Sequence, residues 1–181
     1  MAKTLHITCS IDKAWDGRPI PDDEIAVVDL SFGPDAVRIV VTAPFHDDPP
    51  PPVPAGPSDG LWNYQVVEVF LLGSNGYIEI ELGPHGHYLV LDLGAPRVVR
   101  RKLMPIEYAV TGRNANTWTS EAVVPNALLP AGLDRFNAYR VHGTGKSRRH
   151  FAAFPVPGDR PDFHRLECFG ALVPKSADSR T

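Results

Sequence analysis

Apolar residues recur at every second position in a series of short runs: 27–32 (VVDLSF), 37–43 (VRIVVTA), 65–72 (QVVEVFLL), 77–82 (YIEIEL), 88–93 (YLVLDL), 117–124 (TWTSEAVV) and 136–142 (FNAYRVH). Successive side chains leave a strand on opposite sides, so a period of two marks a strand with one face on a core. Turn residues stand at the breaks. Gly33-Pro34-Asp35, Gly73-Ser74-Asn75-Gly76, Gly83-Pro84-His85-Gly86, Gly112-Arg113-Asn114 and Gly143-Thr144-Gly145 supply the positive or fixed φ that tight connections need. Strands joined by such short links run antiparallel, because a parallel pair needs a long crossover. No stretch sustains a helical period; Asn126–Leu129 lies between Pro125 and Pro130 and can form a single turn at most. The pattern predicts an all-β chain: about ten short strands in two packed sheets, an antiparallel, jelly-roll-like β-sandwich with under about a tenth of its residues helical.

A chain of 181 residues with 43% hydrophobic composition is long enough for one sizeable core, and one domain over 1–173 is expected, with a small, polar tail over 174–181. Residues 44–57 carry seven of the 19 prolines, too many missing N–H donors for a sheet interior, so this segment is expected as a long surface loop. Cys9 and Cys168 form no CxxC and are expected as reduced thiols. The formal charge of -3 and the pI near 6.1 exert no pull toward nucleic acid or an acidic membrane, and no apolar run reaches the length of a membrane span. A cytoplasmic location is expected, since the first residues show no signal-peptide pattern. Nothing in the pattern specifies an oligomeric state.

Candidate chemistry concentrates in 62–93. With Gly73–Gly76 as a turn, ideal register sets Glu68 opposite Glu81. A second turn at Gly83–Gly86 is expected to pair Leu82 with Leu89 and Ile80 with Leu91. That register gives a buried face of Ile78, Ile80, Leu82, Leu89, Leu91 and Leu93. The opposite face then carries Glu68, Phe70, Glu79, Glu81, Tyr88, Val90 and Asp92. Neighbouring carboxylates repel, so a cation or a shared proton should sit between them. Arg140 and His142, alternating along 136–142, are the expected partners on that face. Just upstream, Trp62 and Tyr64 offer aromatic surface. A sugar presents an apolar CH face and a ring of hydroxyls, which suits a flat aromatic beside carboxylate and guanidinium groups. The candidate ligand-binding set is therefore Trp62, Tyr64, Glu68, Glu81, Arg140 and His142.

Leu61-Trp-Asn-Tyr-Gln-Val-Val-Glu-Val-Phe70 and Tyr77-Ile-Glu-Ile-Glu-Leu-Gly-Pro-His-Gly86 resemble an uncharacterised, conserved protein family of animals and bacteria. Ala43-Pro44-Phe45, Asp48-Pro49-Pro50, Phe154-Pro-Val-Pro157 and Pro161-Asp-Phe-His-Arg-Leu-Glu167 extend the resemblance over nearly the whole chain. That family is similar in turn to family 9 carbohydrate-binding modules and DOMON-like β-sandwiches, through a VEVF strand followed by a strand ending in a turn like Gly83-Pro84-His85-Gly86. The resemblance implies a non-catalytic binding module for a small polar ligand, a saccharide above all, with Trp62 and Glu68 matching the binding positions.

Two other classes stay open: a structural or protein-interaction domain whose polar cluster is an internal network, and a glycoside-acting enzyme using Glu68 and Glu81 as its carboxyl pair. His85-Gly86-His87 is a weak metal signal, because its histidines sit in a glycine-flanked turn, and no metal site is assigned. Serine-nucleophile and phosphate-loop motifs are absent, and no cofactor is implied. Lys146, Arg148, Arg149 and His150 read as a solvated hairpin turn.

Overall fold

The structure is a computed structural model and describes residues 5–172, so the tail expected over 174–181 lies outside the described residues. The strands are β1 (Leu5–Ile11), β2 (Lys13–Ala14), β3 (Ala26–Phe32), β4 (Ala36–Pro44), β5 (Gly56–Pro57), β6 (Val66–Gly73), β7 (Gly76–Leu82), β8 (His87–Ala95), β9 (Val98–Lys102), β10 (Glu107–Arg113), β11 (Thr117–Pro125), β12 (Arg135–His142), β13 (Arg149–Ala152) and β14 (Gly170–Ala171). They form two sheets. One runs β1-β3-β4-β11-β10; the other runs β2-β13-β12-β6-β7-β8-β5, with β9 added beside β8 and β14 beside β12. All pairings are antiparallel except β5 with β8. Strand accounts for 52% of the described residues and helix for 9%, all of the latter in single 3-10 turns, as the period-two pattern predicts.

The two sheets bury different amounts of themselves, and this difference places the site. In the first sheet Ile7, Cys9, Ile11, Val28, Leu30, Val37, Ile39 and Val41 point into the inter-sheet core. Its other face is a wet polar ladder in which Thr8 donates to Asp29, His6 pairs with Ser31 and Arg38 binds Glu121. The central strands of the second sheet, β6, β7, β8 and β12, are buried on both faces. Val67, Val69, Leu71, Ile78, Ile80, Leu82, Val90, Phe136 and Ala138 face the core. Val66, Phe70, Leu72, Tyr77, Leu89, Leu91, Leu93, Tyr139 and Val141 face outward into a second apolar cluster, covered by Leu61, Val156, Phe163 and Phe169.

The β6–β7 register is the expected one, with Glu68 opposite Glu81. The β7–β8 register differs by one residue: Ile80 pairs with Val90, Glu81 with Leu89 and Leu82 with Tyr88. The connection is a three-residue loop, Pro84-His85-Gly86, closed by Gly83 N–H donating to the His87 carbonyl and by Gly86 at φ 85. A left-handed residue ending such a loop adds one position relative to a two-residue turn. Every side chain of β8 therefore changes face. Leu89, Leu91 and Leu93 join the glutamates, while Tyr88 and Val90 join the core and Asp92 binds Arg100 and Arg101. The proline segment is a loop over 45–55, and its last residues add to the sheet edge as β5.

Candidate functional site

The outer face of the second sheet carries a groove of about 470 Å3, within the roughly 300–1,000 Å3 of small-ligand sites. Its floor is Glu68 from β6, Glu79 from β7, Leu91 and Leu93 from β8 and Val141 from β12. One wall is the turn Leu61–Asn63. Leu61 buries there while Trp62 points out, 42% exposed. Arg148, from the β12–β13 connection, fixes this turn by donating to the carbonyls of Trp62 and Asn63 and to that of Gly143. The other wall is Pro161–His164. Phe163 stacks on Tyr139 with centroids 3.9 Å apart, and Tyr77 Oη pairs with His164 Nδ1 at 2.6 Å. Asp162 accepts from Arg97 at 2.6 Å and from the His164 backbone at 3.1 Å.

Glu68, Glu79 and Glu81 are 3%, 4% and 0% exposed. Burial pushes all three carboxyls up, and their proximity adds to it for Glu68 and Glu81; Glu79 reaches about 7, restrained by its contact with Glu81 and by Arg97. Glu79 Oε2 and both Glu81 oxygens are buried without a hydrogen-bond partner. Burial also holds His164 down to about 4 and lowers His150, the latter helped by Arg148, so both imidazoles are neutral at physiological pH. The groove thus combines aromatic walls, apolar floor strips, a neutral carboxyl and imidazole set, and the charged groups of Arg97, Arg148 and Asp162 at its walls.

Of the six expected site residues, Trp62 and Glu68 line the groove. Glu81 lies wholly buried beside Glu79, so the Glu68–Glu81 pair does not present two carboxyls to a substrate. Tyr64 packs against the outer apolar cluster instead of the groove. Arg140 and His142 are on the opposite face: Tyr139 pairs with Glu68 and Arg140 with Val67, so the cluster joining them to the glutamates does not form. No hairpin links β6 to β12, and nothing local pins their register. Arg148 and His150, read as a solvated turn, line the groove. Glu79, Arg97, Asp162, Phe163 and His164 complete it, and the signal for the last three was the Pro161-Asp-Phe-His segment of the family resemblance.

Arg140 anchors a second polar cluster between the sheets. It donates to the Glu24 carboxylate and to the Glu24 carbonyl at 2.7 Å, meets His46 Nε2 at 3.0 Å, and lies 4.0 Å over the Phe151 ring. Glu24, His46 and His142 are also the one group, among the described residues, whose metal-ligating atoms come within 4.8 Å of one another. The geometry is that of a clamp, not a metal centre. The two imidazoles stack at 3.6 Å and 8°, so their lone pairs run parallel instead of converging, and the permanent guanidinium charge stands where the ligand atoms meet. His85 and His87 serve structure: one contacts Arg113, the other pairs with the Val53 carbonyl and holds the proline loop.

The fold has solved counterparts. A candidate carbohydrate-binding protein from Bacteroides uniformis superposes with a TM-score of 0.69 at 16% identity, covering 91% of this chain and 84% of its own. A family 9 carbohydrate-binding module from Caldicellulosiruptor kristjanssonii, in complex with cellotriose, superposes with a TM-score of 0.51 at 13% identity over 86% and 78% of the two chains. The class is therefore a β-sandwich like those of carbohydrate-binding modules. No established family profile matches the chain. Full-length relatives do: the UPF0462 protein C4orf33 homolog of Mus musculus is 39% identical over 88% of this chain and 87% of its own length, and human UPF0462 protein C4orf33 is 36% identical over 88% and 84%. The chain belongs to the UPF0462 (C4orf33) family.

Proposed function

We propose that this protein is a non-catalytic binding module whose ligand is a small saccharide seated in the groove over Glu68 and Glu79. The observation that carries the reading is the joint lining of one groove by two aromatic side chains, Trp62 and Phe163, and by buried carboxyls, Glu68 and Glu79. A pyranose ring needs both: flat apolar surface for its CH face and acceptors for its hydroxyls. Arg148 holds the backbone of the Trp62 turn and Tyr139 stacks on Phe163, so both walls are tied to the sheet before any ligand arrives. The likeness to a family 9 module in complex with cellotriose supports the same ligand class.

Tryptophan emission titrated with neutral oligosaccharides such as cellotriose tests the reading. Stacking on Trp62 should shift the emission, and Trp62→Ala should weaken binding by about tenfold or more, the scale of a lost aromatic contact. Equal binding by Trp62→Ala, or chemical consumption of the sugar, would overturn it.

A further inference from the structure

The groove floor holds more buried acid than the chain itself can answer. Glu68 and Glu81 are direct cross-strand partners, and Glu79 stands two residues from Glu81 on the same face, so three carboxyls share one patch of sheet. None is more than 4% exposed. Glu79 Oε2 is buried, without a hydrogen-bond partner, in a side chain that lines the groove. The neighbouring cations are committed elsewhere. Arg148 spends its guanidinium on three backbone carbonyls, and Arg97 donates to Asp162. His150 and His164 are held neutral by burial. Without a ligand the patch stays uncharged by keeping its protons, which leaves acceptors idle in a low-dielectric site. Among the described residues the three carboxyls do not bring one oxygen each within 4.8 Å of one another, so they form no three-ligand metal cradle.

We propose that the saccharide taken by this groove carries a free, protonated amine, as in a glucosamine unit, with the ammonium on Glu79 and Glu68 and the ring against Trp62. This rests on the saccharide reading above and narrows its chemistry. An ammonium brings three donors and one positive charge. On binding, the carboxyls release their protons to solvent; hydrogen bonds between an ammonium and ionised carboxylates are roughly twice as strong as neutral ones, and a hydroxyl at the same ring position supplies neither the charge nor the donor number.

Three trisaccharides of the same β-1,4 geometry separate the possibilities: glucosamine trimer, its N-acetylated form and cellotriose. Titration calorimetry on the intact protein at low salt, slightly below neutral pH, should show the free-amine trimer binding about tenfold tighter than either neutral trimer. The ratio should collapse toward one in Glu79→Gln and Glu68→Gln, isosteric changes whose folding is checked by thermal melting. Equal affinity of the three sugars for the unmodified protein would overturn the proposal and leave the saccharide reading standing, and this arm needs no variant. A preference that survives both substitutions is general surface attraction and overturns it too. Binding of none of the three would overturn the reading and the proposal together.

Discussion

Arg140 shows how one side chain changes meaning when its strand is rotated by one position. Facing the core instead of the glutamates, its guanidinium is 1% exposed and holds Glu24 and His46 to β12. Truncation would leave the Glu24 carboxylate without its counter-charge and remove the cation–π contact with Phe151. Breaking a buried pair from one side costs roughly 3–5 kcal/mol, and Glu24 is about a quarter exposed, so water recovers part of the loss. Arg140→Ala should therefore lower stability by about 3 kcal/mol in urea unfolding. Glu24→Gln should cost less, and the double variant less than the sum of the two. Strict additivity would mean that the pair is not coupled.

At the scale of elements, strand positions and one hairpin were legible in the sequence because short turns fix them. Gly73 and Gly76 close β6 onto β7 in the expected register, and Gly76 is demanded by geometry: its φ is 133, and a Cβ there would lie 2.3 Å from the Leu93 carbonyl oxygen. Gly76→Ala should destabilise by about 2–3 kcal/mol, combining strained backbone with a clash against main chain. Gly145→Ala, also at positive φ but with open space around it, should cost about 1 kcal/mol. Similar losses in chemical denaturation would refute the close approach of β7 to β8. What was not legible follows from the same physics. β8 is buried on both faces, so Leu89, Val90, Leu91 and Leu93 fit either side equally well, and alternation carries no information about its register. The groove wall from Pro161 to His164 has no period at all, and its place on the sheet is set by the Phe163–Tyr139 and Tyr77–His164 contacts across the chain. Trp62 and Glu68 were recoverable from the hairpin register and the aromatic residues before it, and the resemblance marked the same two positions. Arg148 was not recoverable, since its role lies in carbonyls that only the folded turn presents.

For the whole molecule, two sets of buried groups bend stability in opposite directions with pH. Glu68, Glu79 and Glu81 have pKa values raised in the fold, Glu79 to about 7, mainly by desolvation. Below the ordinary carboxyl pKa of 4.5 they are protonated in both states and cost nothing. As pH rises from there through about 7 for Glu79, the unfolded chain releases protons that the folded chain keeps, and stability falls. His142 and His164 are depressed from 6.5 to about 4, by burial first and then by neighbouring cations. Their neutral forms suit the fold, so stability is full above 6.5 and is lost as pH falls toward 4. Between 4.5 and 6.5 the acid limb of the histidines and the alkaline limb of the glutamates oppose each other; above 6.5 the histidine contribution is complete and only the alkaline limb remains, so stability falls from there through the Glu79 pKa of about 7. Urea midpoints measured across this range in one ionic strength would reveal the fall. Glu81→Gln keeps the shape of the buried side chain but cannot ionise, so it should flatten the alkaline limb and leave the acid limb in place. His142→Asn should do the reverse in part, removing one of the two depressed imidazoles from the acid limb and leaving that of His164. If stability instead climbed steadily from pH 6 to pH 8, the glutamate patch would have to be charged and compensated in the folded protein, and the account of an acid floor awaiting a cation would fail with it.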